Sequence, residues 1–258
     1  MRVALVQLAS ATDSATNRAA ITAQLADLAA DDGVDLVVLP EAAMYDFGAT
    51  DLDLAPAAEP LDGPFVRLLT AEASRLGTTI VAGMFEQTDA LPYNTLAVVD
   101  GDGLQATYRK IHLYDSFGYR ESDRLTPGEV APVVVQIAGR PVGLMTCYDL
   151  RFPEHARALV DAGAELLVIP AAWVAGEHKL HHWRTLLAAR AIENTVHVAA
   201  SAQGGERYTG HSLVIDPWGS TLVEAENDAA IVQAVVDADE VTRARDVNPS
   251  LANRRIGA

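Results

Sequence analysis

A single cysteine, Cys147, stands in 258 residues. That scarcity excludes an intrachain disulfide, a cysteine-rich zinc site and a redox cycle with a resolving thiol in the same chain. Basic residues are also few: 19 Lys and Arg against 35 Asp and Glu give a formal net charge of −16. Such a deficit argues against a nucleic acid or an anionic membrane as partner. No apolar run approaches the length of a membrane span, and the opening MRVALVQLAS is too short in its apolar part for a signal peptide, with Gln7 interrupting it. A soluble, cytoplasmic protein is expected. Hydrophobic residues make up 50% and charged residues 21%, which excludes a disordered chain. The length is ample for a core, read as one domain over 1–258 with a short tail from about residue 240.

What is present centres on RPVGLMTCYDLRFPE, Arg140–Glu154. Val142–Thr146 reads as a short buried strand ending on Cys147, and Pro153 suits the first turn of a helix continuing to Ala162. A thiol at the carboxyl end of a buried strand sits where open α/β sheets place their ligands, although a lone cysteine is equally a small core residue. Before it, strands are expected at Val3–Leu8, Asp35–Leu39 and Thr78–Met84, with helices at Asn17–Ala30 and Pro64–Leu76. Asn94–Asp100 and Leu104–Tyr108 flank a Gly-Asp-Gly turn as a hairpin. Ile111–Val130 is a long irregular segment of the kind that tends to carry function. Beyond Cys147 come strand Glu165–Ile169, helix Leu180–Glu193, and strands at Val196–Ala200, Leu213–Asp216, Ser220–Val223 and Ile231–Val236. A short helix and an arginine-containing coil close the chain.

One internal repeat organises the rest. Gly33–Ala43 reads GVDLVVLPEAA and Gly163–Trp173 reads GAELLVIPAAW, each preceded by a strand and a helix. Two related βαβ halves imply a pseudo-two-fold arrangement with parallel strands inside and helices outside. The residue after the shared proline is Glu41 in one copy and Ala171 in the other, so a carboxylate stands at only one of two equivalent strand ends.

Three strand ends thus offer Glu41, Lys110 and Cys147, in LVVLPEA, YRKIHLYD and GLMTCYDLRFPE. In this combination and order the chain resembles the nitrilase, or carbon–nitrogen hydrolase, superfamily from Val3 to about Asp237. The resemblance implies a four-layer αββα sandwich and hydrolysis of a C–N bond without metal or other cofactor. It implies Cys147 as nucleophile, Glu41 as general acid–base, Lys110 as oxyanion donor, and Glu121 in RESDRLTPG holding Lys110 and substrate. The backbone N–H of Tyr148 would complete the oxyanion site, with Arg151, Trp173 and His112 beside the substrate. His112 is read equally as a packed histidine supporting its loop, and Arg151 equally as an ion-pair partner of Asp149. Glu41 and Lys110 taken singly read as solvated surface charges, and a solvated role is the lesser alternative for Glu121. His178, His181 and His182 share helical spacing but lack a further ligand, so a solvated helix start is the better reading.

The motifs, GHSLVIDPWG among them, are most similar to the branch of omega-amidases and deaminated-glutathione amidases. That similarity implies a small amide whose far end carries a carboxylate, released as acid plus ammonia through a thioester. Alternatives are a nitrile or N-carbamoyl substrate, a Cys–His thiol hydrolase using His112 or His211, and a catalytically idle binding module. The connection from Trp173 to Leu180 and the stretch Gly204–Tyr208 match no motif and are candidates to line the pocket. The resemblance also implies a homodimer or larger assembly through Phe152–Ala162 and Leu180–Glu193, the latter carrying Trp183, Leu186 and Leu187 with alanines on its flanks.

Overall fold

The computed structural model describes residues 1–256. The first half builds β1 (Arg2–Gln7), α1 (Ser14–Leu25), β2 (Leu36–Val38), α2 (Pro64–Leu76), β3 (Thr79–Glu86), β4 (Tyr93–Asp100) and β5 (Gly103–Arg109). A small hairpin of β6 (Asp115–Ser116) and β7 (Tyr119–Arg120) follows. The second half holds β8 (Val134–Ile137), β9 (Arg140–Leu144), α3 (Pro153–Asp161), β10 (Leu166–Val168), α4 (Lys179–Asn194) and β11 (His197–Ala200). It continues through β12 (Leu213–Ile215) and β13 (Thr221–Glu224). Then β14 (Ala230–Val235) and α5 (Ala238–Val247) follow, with turns and coil after them.

Two six-stranded sheets result, ordered β14-β1-β2-β3-β4-β5 and β13-β12-β11-β10-β9-β8. β1, β2 and β3 run parallel, as do β9, β10 and β11, and the remaining strands are antiparallel. β1 therefore corresponds to β9, β2 to β10 and β3 to β11, the two-fold relation that the repeat implied. The parallel strands are apolar on both faces because both faces are covered. Val3, Leu5, Val38 and Val81 of one sheet meet Val142, Leu144, Val168 and Val214 of the other in one buried cluster. The opposite face of the first sheet packs on α1 and α2 through Ile21, Leu25, Phe65 and Leu69. That of the second packs on α3 and α4 through Leu159, Trp183 and Leu187. The layers are α, β, β, α.

α2 keeps its expected bounds, because Pro64 sits at its first turn and Gly77, at φ +66°, caps its end in the left-handed region. α1 does not: it stops at Leu25, not Ala30. The cause is tertiary, since Arg75 of α2 donates to the carbonyls of Leu25 and Leu28 at 2.8 and 3.1 Å and supplies an end cap that local sequence does not show. β8 was not foreseen; VVQI reads as a strand only when β9 lies beside it. On α4, Leu187 and Ala191 turn inward and Ile192 is left 48% exposed. Among the described residues no helix is long and apolar enough to cross a membrane.

Candidate active site

The carboxyl ends of β2 and β9 deliver Glu41 and Cys147. Beyond β2, Leu39 and Pro40 remain bonded to β3, with Leu39 N–H on Val81 at 2.8 Å and Gly83 N–H on Pro40 at 3.1 Å. The chain then turns at Glu41 and Ala42, the latter at φ +57°. A Cβ on Gly83 would lie 2.6 Å from the Glu41 Cα and 2.7 Å from the Ala42 nitrogen, so only glycine lets β3 approach this closely. Beyond β9, Cys147 adopts φ +45° and opens a 3-10 turn through Arg151. That left-handed geometry is costly for a side-chain-bearing residue and raises the thiol out of the strand line. Its N–H donates to the Pro170 carbonyl at 2.9 Å, joining it to the strand end equivalent to that of Glu41.

Lys110 follows β5, and Glu121 lies beyond the β6–β7 hairpin. Both, with Glu41, are 2% exposed or less, so none is a solvated surface charge. Lys110 Nζ donates to Glu41 Oε1 at 2.9 Å and to Glu121 Oε2 at 2.8 Å. Glu41 Oε2 accepts from the Ala172 N–H at 2.7 Å. One copy of the repeat therefore supplies the carboxylate, and the other supplies a backbone donor to it. Glu121 also accepts from the Tyr114 N–H at 2.6 Å. Burial alone would push the Lys110 ammonium down in pKa, but the charges of Glu121 and Glu41 outweigh it and hold the lysine well above its ordinary value. Burial, more than Lys110 offsets, raises Glu121. Burial and the Glu41 charge push the Cys147 thiol well above its ordinary value, so it rests protonated.

Above these groups opens a cavity of about 600 Å³ lined by Glu41, Lys110, Glu121, Cys147, Tyr148, Arg151 and Trp173. Tyr114, Phe117 and Tyr119 from the segment around the hairpin form one wall. Residues 174–179 form another with Arg207 and Tyr208, the two stretches without a matching motif. Arg151 lies 4.8 Å over the Trp173 ring, and its Nε and Nη2 are buried with no partner among the described residues. Lys179 donates to the Tyr114 hydroxyl at 3.1 Å and rests 4.5 Å over the Phe117 ring. Burial and the Arg151 charge pull its pKa below the ordinary lysine value.

The ion pair of Asp149 with Arg151 does not form. Asp149 is fully buried beneath the turn and accepts from the Tyr108 hydroxyl at 2.5 Å, the Thr146 N–H at 2.9 Å and the His112 N–H at 3.1 Å. The His112 Nδ1 joins it at 2.7 Å, and the His112 ring stacks on Phe152 with centroids 3.7 Å apart. Of its two expected places His112 thus takes the second, a packed histidine supporting its loop and not a wall of the cavity, because Asp149 and Phe152 hold its ring. Asp149 ties the lysine segment to the cysteine turn. His112, Asp149 and His155 are the one group among the described residues with metal-ligating atoms close together. Its His112–Asp149 contact is already a hydrogen bond and leaves no gap for an ion. His178 lies at the cavity rim, while His211 pairs with Glu224 at 2.9 Å outside it. Neither histidine suggested for a Cys–His hydrolase reaches the cavity.

Burial raises the Asp149 pKa, but the hydrogen bond from His112, the His155 charge and the bonds from Tyr108 and Thr146 outweigh it and hold the carboxyl below its usual range. Its stabilising contribution is therefore complete above the unfolded value near ~3.9 and is lost as pH falls through the lower folded value. Replacing Asp149 with Ala strands two buried N–H groups and a phenol. The expected cost is about 3–5 kcal/mol, a fall in Tm of roughly 10 °C by thermal melt at neutral pH. The wild-type and variant curves should converge as pH drops toward 3. An unchanged Tm at pH 7 would show that Asp149 anchors nothing.

Sequence reasoning did not single out Asn94, Tyr114, Lys179 or the Ala172 N–H as members of the site. Only the unmatched connection before Leu180 pointed toward Lys179. A family model described as carbon–nitrogen hydrolase matches residues 2–246. A deaminated glutathione amidase of Escherichia coli O157:H7 is 43% identical over 240 residues, covering 92% of this chain and 91% of the relative. A carbon–nitrogen hydrolase superfamily protein of Xanthomonas campestris, solved with an arsenic adduct in its active site, superposes with a TM-score of 0.89 at 32% identity. That match covers 100% of this chain and 98% of the other. A glutamate-to-glutamine variant of the amidase from Nesterenkonia sp. AN1 superposes at 0.82 with 27% identity, covering 99% and 94% of the two chains. It bears the acetamide moiety of fluoroacetamide covalently added at the active-site cysteine. With its sandwich, its repeat and its matched length, this chain belongs to the carbon–nitrogen hydrolase family.

Proposed function

We propose that the protein hydrolyses the amide of a small carboxylate-bearing compound to an acid and ammonia, through a thioester on Cys147. The observation that carries the reading is a buried carboxylate, Glu41, held by Lys110 and the Ala172 N–H beside a thiol that rests protonated. A protonated thiol is a poor nucleophile, so the base must act as the bond forms. Glu41 takes the thiol proton while sulfur bonds the carbonyl carbon. The oxyanion faces the Lys110 ammonium and the Tyr148 N–H. Glu41 then returns the proton to the nitrogen, ammonia leaves, and the acyl group stays on sulfur. Water enters, Glu41 removes its proton, and collapse of the second oxyanion expels the cysteine, which recovers the proton from Glu41. Glu121 keeps Lys110 charged and in place. A nucleophilic thiol of this kind suits a reducing compartment such as the cytoplasm.

The carboxylate preference rests on Arg151, a half-buried residue facing the cavity whose Nε and Nη2 are themselves buried and unpartnered among the described residues. A planar fork without an anion fits a carboxylate in two-point contact, and Lys179 adds a second positive charge nearby. The relative from Escherichia coli, a deaminated glutathione amidase, supports the same class. Ammonia release across a panel of amides, nitriles and carbamoyl compounds tests the assignment. Arg151→Leu should raise KM for a carboxylate-bearing amide about 10- to 100-fold, the worth of a charge-assisted bond. KM for a neutral amide of the same length should stay within about three-fold. Equal losses on both, or faster turnover of nitriles than of amides, would overturn the assignment.

The reading includes a homodimer built on the outer face of α3 and α4. Its support is a set of exposed apolar side chains: Ile192 near the end of α4, Trp218 in the turn whose Gly219 lies against Ile192, and Leu222 on β13, each more than 40% exposed. A patch of large apolar side chains is the usual mark of an association site. Light scattering coupled to size exclusion at micromolar concentration should give twice the 27.4 kDa chain mass; the chain mass itself would exclude the dimer.

A further inference from the structure

The reaction above leaves one buried side chain of the same cluster without a task. Asn94 lies on β4, opposite Phe85 of β3, and is 1% exposed. Its Nδ2 donates to Glu41 Oε1 at 2.7 Å and to Glu121 Oε1 at 3.1 Å. Lys110 Nζ donates to the same two oxygens, at 2.9 and 3.1 Å. The four groups close a ring in which two carboxylate oxygens alternate with two donors, one charged and one neutral. The Asn94 carbonyl also accepts the Lys110 N–H at 2.8 Å, fixing where the lysine leaves its strand.

The orientation of the amide follows from these partners. Turned over, it would set Oδ1 against two carboxylate oxygens; as placed, Oδ1 is buried without a partner among the described residues. The position thus tolerates an orphan acceptor in order to aim both donor hydrogens at the carboxylates. The charges explain the need for a neutral donor. Two carboxylates and one ammonium leave a net negative charge away from water, where the Glu41 charge opposes ionisation of Glu121. A second ammonium in place of Asn94 would hold Glu41 too tightly for it to take and return a proton. An amide steadies both oxygens without adding charge.

We propose that Asn94 is a positioning residue of this centre, holding Glu41 and Glu121 at a fixed spacing so that Glu41 alone exchanges a proton with Cys147. The proposal rests on Glu41 as the base in the reaction above. Asn94 does not line the cavity, so it acts through the glutamates and not on the substrate. The other groups facing the pair are Lys110, Cys147, Tyr114, Tyr119 and Tyr208. Burial raises the pKa of all three phenols, which keeps them neutral through the pH range of the test.

Asn94→Leu removes both donors at similar volume, and Asn94→Ser keeps one donor while lightening the packing change. In Asn94→Leu, kcat should fall at least ~10-fold with KM within about two-fold, the pattern of an interaction made in the transition state. The acid limb of kcat/KM should move to higher pH, since removing a donor from a carboxylate disfavours its charged form. Asn94→Ser should fall between the two. Alkylation of Cys147 by iodoacetamide against pH reads the same shift without substrate, so an error in the substrate and an error about Asn94 give different results. A folded Asn94→Leu or Asn94→Ser with the wild-type pH profile for alkylation would overturn the proposal, as would a loss confined to KM.

Discussion

Cys147→Ala is expected to leave a folded protein whose kcat has fallen by roughly 10⁴-fold or more, the scale of removing a covalent nucleophile. Its Tm should equal or exceed that of wild type. The wild-type thiol is buried under the charge of Glu41, a placement that serves chemistry more than stability. Alanine removes the sulfur and keeps the backbone bond to Pro170. Activity of more than about 1% in a purified, folded variant would contradict nucleophilic catalysis by this residue.

Glu41→Gln should cost ~10²- to 10⁴-fold in kcat, the range for a general acid–base used in two successive half-reactions. The substitution changes more than charge. Glu41 Oε1 accepts from Lys110 and Asn94, and Oε2 accepts from the Ala172 N–H. Every neighbour is a donor, so a glutamine must set its own N–H₂ against one of them whichever way it turns. The Cys147 thiol should also alkylate more slowly, because no base remains to take its proton as the bond forms. A folded variant within about ten-fold of wild type, in turnover and in alkylation, would show that another group does this work.

Much of this arrangement was legible in residue order. The repeat at Gly33 and Gly163 located two equivalent strand ends, and the sheets confirm their relation. It was legible because parallel strands buried on both faces leave an apolar signature bounded by proline. Glu41, Lys110, Glu121 and Cys147 were singled out by motif, and the fold brings all four to one cavity. Less legible were the partners that make the cavity work. Asn94 reads as one polar residue in an apolar strand, and its two carboxylate partners lie 53 and 27 residues away. Ala172 contributes a backbone N–H, which its side chain does not advertise. Asp149 was misassigned because Arg151, two residues on, looked like its natural partner, whereas a 3-10 turn sends the two side chains to opposite sides. His112 was read two ways, and the reading as a packed histidine supporting its loop is the one that holds, with Asp149 and Phe152 fixing its ring. Gly83 is required by β3 pressing on the Glu41 turn, a contact that appears only once the sheet is assembled.

The thioester is the central claim, and trapping it is the most direct test. The protein would be mixed with a slowly turned-over amide and quenched in acid within the first turnovers. Intact mass and peptide mapping would then locate any adduct. The expected result is the mass of the acyl group on the peptide containing Cys147, removed by hydroxylamine with recovery of the free thiol. Steady release of ammonia with Cys147 never acylated, or an adduct on another residue, would contradict the account.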